Sequence, residues 1–462
     1  MTHRFVFPTL ALALLLAGCT SLPAIDPAAL PATPAAFKET DPRWTAIAPA
    51  EAQPRGEWWK AFADARLAEL VERAGRDNAS VQVAAARLAQ ARALLRDAQA
   101  SQSPQIGLNA GALRQAEPGA GGRGATLVSA GAALSYEVDL FGRLSRASEA
   151  ASLDARSREA LLQSTRLLVQ ADVAQTYLAL RAIDTERAIV GDTVEAYRNT
   201  LRLTERRVQA GDIAELDAAR ARSDLASTEA EAFALERQRA QLEHALAVLV
   251  GEPASGFSVA VAADTPPLPQ VPAGVPSTVL ARRPDVAAAM SQLQAARARV
   301  GVAQAAWFPN LSLTATGGVA SPEVSDLFKW SARTWGIGAL MSLPLLDGGR
   351  REAGVQSARA DFDAALASYR EQVLVAFKDV EDELAALRLL EDQSQAQARA
   401  VDSAARATAL SASRYRNGLV SQLELLDAQR SELRNRRQAV QVKAAQQQAT
   451  VGLIRALGGG WS

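Results

Sequence analysis

Residues 282–313 read RRPDVAAAMSQLQAARARVGVAQAAWFPNLSL. The stretch opens as a helix. Pro284 stands where a proline costs nothing, because a first-turn N–H has no intrahelical partner, and Ala, Gln, Leu and Arg carry the helix to about Ala306. Pro309 ends it. Leu311, Leu313 and Ala315 then alternate with Ser312, Thr314 and Thr316, the period-two pattern of a strand with one apolar face. A helix therefore passes directly into a strand. The same hand-over occurs earlier, where AAARLAQAR at 84–92 leads to Pro104 and then to Ile106, Leu108 and Ala110. A duplicated helix-to-strand unit is the plan of the chain.

The 462 residues carry 50 basic and 50 acidic side chains, a balance with no nucleic-acid footprint. Aromatics are 5%, and abundant Ala, Leu, Gln, Arg and Glu favour long helices over a compact enzyme core. After the leader no apolar run is long enough for a membrane helix. Cys19 is the sole cysteine, and His3 and His244 are the only histidines. That argues against disulfides, zinc clusters and histidine-based triads; His244, inside a helical pattern, reads as a helix-surface or interface residue and not a ligand. Residues 1–18 read as a bacterial signal peptide, with His3 and Arg4 before an apolar run. Leu16-Ala17-Gly18-Cys19 resembles a lipobox, which implies a covalent lipid on Cys19; no cofactor is expected besides it. Thr20 after the cysteine implies sorting to the outer membrane.

Residues 19–57, rich in Pro and Ala, read as an extended lipidated tether. A first repeat spans 58–250: a helix from the Trp58-Trp59-Lys60-Ala61-Phe62 segment to about Ser101, strands at about 105–113 and 126–140, and a helical hairpin over 143–250 broken at Gly211-Asp212. In the second strand Val128, Ala130, Ala132, Leu134, Tyr136 and Val138 oppose Ser129, Gly131, Ala133, Ser135, Glu137 and Asp139, the alternation of a transmembrane β-strand. Residues 119–124 match G-x-G-x-x-G but precede a strand, so they read as a loop and not a dinucleotide site. Residues 251–277 form a linker. A second repeat spans 278–457, with strands at about 309–318 and 333–345 and a hairpin over 348–457 broken at Arg416-Asn417-Gly418; 458–462 is a tail. Val355, Ala358, Phe362, Leu366, Tyr369 and Val373 step by three and four, close to the coiled-coil period. Helices of some 65 residues reach about 100 Å.

Four strands cannot close a barrel, and a bilayer tolerates no open sheet edge. Two, three or four copies could each close one. Long periplasmic helices would prolong the barrel as a coiled-coil wall, making a conduit.

Several motifs sharpen this. Arg283-Pro284-Asp285-Val286, the run GVAQAAWFPNL at 301–311, Tyr415-Arg416-Asn417-Gly418 and LELLDAQR at 423–430 resemble the signature of the TolC-like outer membrane efflux proteins, and ALGGGW at 456–461 resembles their NodT-type lipoprotein branch. The resemblance implies an α+β membrane fold, a homotrimer with a twelve-stranded barrel, an α-helical tunnel, and partnership with a periplasmic adaptor and an inner-membrane efflux pump. It also implies that Leu423 and Asp427 occupy gate positions narrowing the tunnel end, with Arg430 as an interchain partner and Asp217 at similar depth in the first repeat. Like charges repeated in a narrow ring select cations. The turn residues Gly211, Asp212, Asn417 and Gly418 are the expected adaptor-docking tips. The competing class is a lipid-anchored periplasmic coiled-coil adaptor or scaffold without a pore; the four alternating strands argue against it.

Overall fold

The computed structural model describes residues 23–39, 56–116, 124–263, 266–269, 271 and 282–459. The leader, Cys19, most of the glycine run at 119–124 and the end of the tail lie outside them. The described elements are α1 (Ala65–Asp77), α2 (Ala79–Ala100), β1 (Gln105–Gln115), β2 (Ala125–Val138), α3 (Arg143–Gln209), α4 (Glu215–Leu249), α5 (Pro284–Ala305), β3 (Asn310–Ser321), β4 (Arg333–Ser342), α6 (Arg350–Arg416) and α7 (Gln422–Ala456). The chain forms two compact units, and each draws on both repeats: Met1–Pro31, Ala86–Glu159 and Ala288–Glu371 make the first, and Ala32–Ala85, Ala160–Ala287 and Gln372–Ser462 the second.

The first unit holds one antiparallel sheet in the order β1-β2-β3-β4. Ile106 lies opposite Leu134, Ala132 opposite Gly317, and Ala315 opposite Ile337. Strands of 10 to 14 residues match the length a tilted strand needs to cross a bilayer. β1 and β4 each have a neighbour on one side only. Leu108, Trp335 and Ile337 are exposed. Where β2 and β3 cross, a Cβ on Gly131 would stand 2.8 Å from the Gly317 carbonyl oxygen, so only glycine fits. Among the described residues no helix is long and apolar enough to cross a membrane.

The second strand stops at Val138, before the expected residue 140, because Asp139 is recruited to the next helix. Its carboxylate accepts the backbone N–H groups of Leu144 at 3.0 Å and Ser145 at 2.8 Å, satisfying two donors that a helix start leaves open. Asp347 does the same for Gly349 and Arg351, at 3.1 and 3.3 Å, ahead of α6, and β4 ends at Ser342 instead of 345. β1 and β3 run to Gln115 and Ser321, beyond the expected 113 and 318.

The segment from Trp58 to Ser101, which passes from the second unit into the first at Ala86, is not one helix. Trp58–Phe62 is a 3-10 turn closed by Ala63 at φ +51°. Asp64 caps α1 by accepting from Arg66 and Leu67 N–H groups. Asn78 interrupts the helix again; its side chain accepts from Ser80 N–H at 2.9 Å and donates to the Leu249 carbonyl at 2.8 Å. Leu67, Leu70 and Val71 make the packed face of α1, all three buried.

The Arg283-Pro284-Asp285 motif ties the second unit together. Arg283 pairs with Asp285 at 2.7 Å and Asp379 at 3.1 Å and donates to the Ala456 carbonyl at 3.3 Å. Gly458 approaches so closely (φ +86°) that a Cβ would sit 2.8 Å from the Arg282 carbonyl oxygen. Asp184 is fully buried and bound by Arg239 at 2.7 Å, and Arg239 also donates to the Val259 carbonyl at 2.6 Å; a buried charge needs such partners.

The described part of the N-terminal segment is docked, not a free tether. Within the second unit the Glu381 carboxylate accepts the N–H groups of Lys38 at 2.7 Å and Glu39 at 3.0 Å. Arg388 pairs with Glu39 at 2.7 Å and holds its carboxyl below the usual range, and Phe37 is buried. Within the first unit Arg297 donates to the Pro23 carbonyl at 2.8 Å.

Candidate functional site

The helical turns lie in the second unit. α3 ends with Gly211 at φ +79° and α6 with Gly418 at φ +71°, a conformation glycine adopts without cost. Gly211 N–H donates to the Val208 carbonyl and Asp212 N–H to that of Arg207, both at 2.9 Å; Gly418 donates to Tyr415 at 3.0 Å and Leu419 to Arg414 at 2.9 Å. Each turn is a Schellman cap, which satisfies the last carbonyls of the helix. Gly211, Asp212, Asn417 and Gly418 are all exposed. The turns meet where Arg207 donates to the Tyr415 hydroxyl at 3.3 Å.

Past the second turn, Ser421 caps α7, its hydroxyl accepting from Glu424 N–H at 3.4 Å. Gln422 is buried and donates to the Thr204 hydroxyl at 3.0 Å. Leu425 and Leu426 are buried, while Leu423 is 43% exposed and the Asp427 side chain 63% exposed. Residues four apart share a helix face, so Leu423 and Asp427 stand together on the face turned from the core.

Arg430 reaches Asp427 at 3.4 Å and also pairs with Asp224 on α4, whose side chain is only 12% exposed. The expected interchain partner is thus engaged within its own chain, and Asp224 holds the guanidinium pKa up. One heptad on, Arg437 pairs with Glu231 at 2.7 Å and with buried Glu186 at 3.3 Å. Asp224 to Glu231 and Arg430 to Arg437 are both steps of seven, so α4 and α7 carry a matched ion ladder of the kind that fixes coiled-coil register. Beside it lies a polar groove of about 400 Å³ lined by Tyr197, Asp224, Glu231, Arg430, Arg434 and Arg437. Burial, then the nearby Asp224 charge, pushes the Tyr197 hydroxyl up to about 12.

Asp217 is half-buried in the first turn of α4, where its charge opposes the helix dipole favourably. Among the described residues no group of three His, Cys, Asp or Glu is placed to hold a metal. The sequence reading missed Asp224, Thr204 and Gln422; only the seven-residue spacing of opposite charges hinted at the ladder.

The model of the outer membrane efflux protein family matches residues 70–252 and 275–459. The outer membrane protein OprJ of Pseudomonas aeruginosa is 35% identical over 87% of this chain and 86% of its own length. The pyoverdine export outer membrane protein OpmQ of the same species is 34% identical over 97% and 95%. The solved outer-membrane channel OprN superimposes with a TM-score of 0.85 at 32% identity, covering 96% of this chain and 100% of its own.

Proposed function

The chain belongs to the outer membrane efflux protein family, the outer membrane channels of efflux systems with a TolC-like α+β fold, and from that premise we propose how it assembles, gates and docks. Three copies join β1 to β4 edges into a twelve-stranded barrel, which removes the open edges a bilayer forbids. Leu423 and Asp427 of each copy ring the helical end of the duct. Leucine narrows the ring, and the repeated carboxylates favour cations and repel anions. Arg430, clamped by Asp224, holds α7 so that Asp427 keeps its place, and Asp217 adds a weaker second ring. The tips at Gly211, Asp212, Asn417 and Gly418 dock a periplasmic adaptor that links the channel to an inner-membrane pump. A lipid on Cys19 anchors each copy to the outer membrane.

The observation that carries the reading is the face shared by Leu423 and Asp427, exposed beside buried Leu425 and Leu426. Planar-bilayer current of the detergent-extracted protein, with its oligomeric mass, tests it. A trimer passing a small, cation-preferring current is the expected result; a monomer with no current at any voltage sinks the proposal. Cysteines placed at Asn417 and Gly418 should crosslink to a co-expressed adaptor, and absence of crosslinks removes the docking assignment.

A further inference from the structure

The first unit contains a second polar site, outside the gating proposal. A cavity of about 260 Å³ opens between α2, α3 and α5, lined among others by Arg87, Asp154, Ser157, Arg158, Gln292 and Arg299. Its volume falls below the roughly 300–1,000 Å³ of pockets for drug-sized ligands, a size suited to a small ion. Three arginines face one acid. Asp154 pairs with Arg299, and Glu159, beside Arg158 in sequence, is taken by Arg92 at 3.2 Å. Arg87 and Arg158, both solvent-exposed, also line the cavity. The cavity thus carries two guanidinium groups besides the Arg299–Asp154 pair. Ser157 is 2% exposed, and its hydroxyl has no hydrogen-bond partner. A buried hydroxyl left unsatisfied costs free energy, and Ser157 is among the residues that line the same cavity.

We propose that the cavity binds a phosphate-type oxyanion, held by Arg87 and Arg158 with the Ser157 hydroxyl as a third donor. Guanidinium groups match the tetrahedral oxygens of a phosphoryl group and stay charged at any physiological pH. A free phosphate compound and a phospholipid headgroup share this chemistry. About 9 Å of helix separates Arg299 from the end of α5 at Ala305, and about 20 Å separates Arg87 from the end of α2 at Ala100. A headgroup layer is only about 5–8 Å thick on each side, so the depth of the cavity favours the free anion.

Full-length protein in detergent is titrated with inorganic pyrophosphate by calorimetry. Saturable binding is expected, weakening as salt rises. Arg87→Gln and Arg158→Gln should each weaken it about tenfold, the loss of one charge-assisted hydrogen bond, and Ser157→Ala about threefold. Arg350→Gln, a charge removed elsewhere in the same unit, should leave it unchanged. Oligomeric mass checks that each variant assembles. Native mass spectrometry separates the sources: lipid-free protein that takes up pyrophosphate assigns the soluble anion, whereas phospholipid retained by the unmodified protein and lost in Arg158→Gln assigns the headgroup. No saturable heat and no retained phospholipid, or equal binding in all variants, overturns the site. Bilayer current does not read this cavity, so the gating account and this assignment fail separately.

Discussion

The turn at Gly211 and the turn at Gly418 have one backbone and two surfaces. Both close with the same pair of Schellman hydrogen bonds on a left-handed glycine. Beyond the glycine they part. Ser421 caps α7 with its side chain, whereas Ala214, at the matching place before α4, makes no side-chain cap. Gln422 is buried against Thr204, whereas Glu215 stays exposed and pairs with Arg222 at 2.7 Å. Asp427 presents an exposed acid where the first repeat has Arg220, whereas the exposed Leu423 is matched by Leu216, itself 58% exposed. Duplication has kept what closes a helix and the exposed leucine beyond it, and has changed the charge that follows. The backbone cap makes the fold; the acid not shared between the copies, Asp427, is the one on which the gating proposal rests.

Several substitutions break or sharpen that comparison. The largest effect is expected where the copies agree. Gly211→Ala and Gly418→Ala should each cost about 1–2 kcal/mol, because both force an L side chain into the left-handed region; urea unfolding in detergent should give similar losses for the two. Next comes Arg430→Ala, which strips the partner from the little-exposed Asp224. With Arg430 itself partly solvated, the cost should be about 1 kcal/mol, whereas Asp427→Ala should leave unfolding nearly unchanged. Capping comes third. Ser421→Ala should lose about 0.5 kcal/mol, the low end for a cap given its long hydrogen bond, and Ala214→Ser should gain a similar amount.

The smallest effect is a slope with pH. Burial raises the Glu383 carboxyl above its ordinary 4.5, and Gly452 packs so near that a Cβ would overlap that carboxylate. The first repeat has Thr176 and Ala245 at these places. A carboxyl whose folded pKa lies above the unfolded one favours folding most below 4.5, and that contribution is lost as pH rises through the folded value. Glu383→Gln should therefore unfold at higher urea than the parent at pH 7, with the two converging towards pH 4; parallel curves at both pH values remove Glu383 as the cause.

The regular elements were legible because their signals are local. Alternation marked four strands, and Pro309, Gly211 and Gly418 marked where helices stop. The strand ends were less so, because Asp139 and Asp347 spend their carboxylates on the following helices, which alternation does not register. Asn78 broke a helix that propensity alone would continue, since its side chain competes for backbone groups. At the turns, the exposed face of Leu423 and Asp427 followed from motif and spacing. Asp224 did not, because its role depends on α4 and α7 lying side by side, a relation between segments far apart in the chain.

The most direct test of the central claim compares bilayer current of the assembled channel with Asp427→Ala and with Asp217→Ala. The account predicts that current rises and cation preference falls strongly in Asp427→Ala and only slightly in Asp217→Ala. Unchanged current and selectivity in Asp427→Ala, or a larger change in Asp217→Ala, would contradict it.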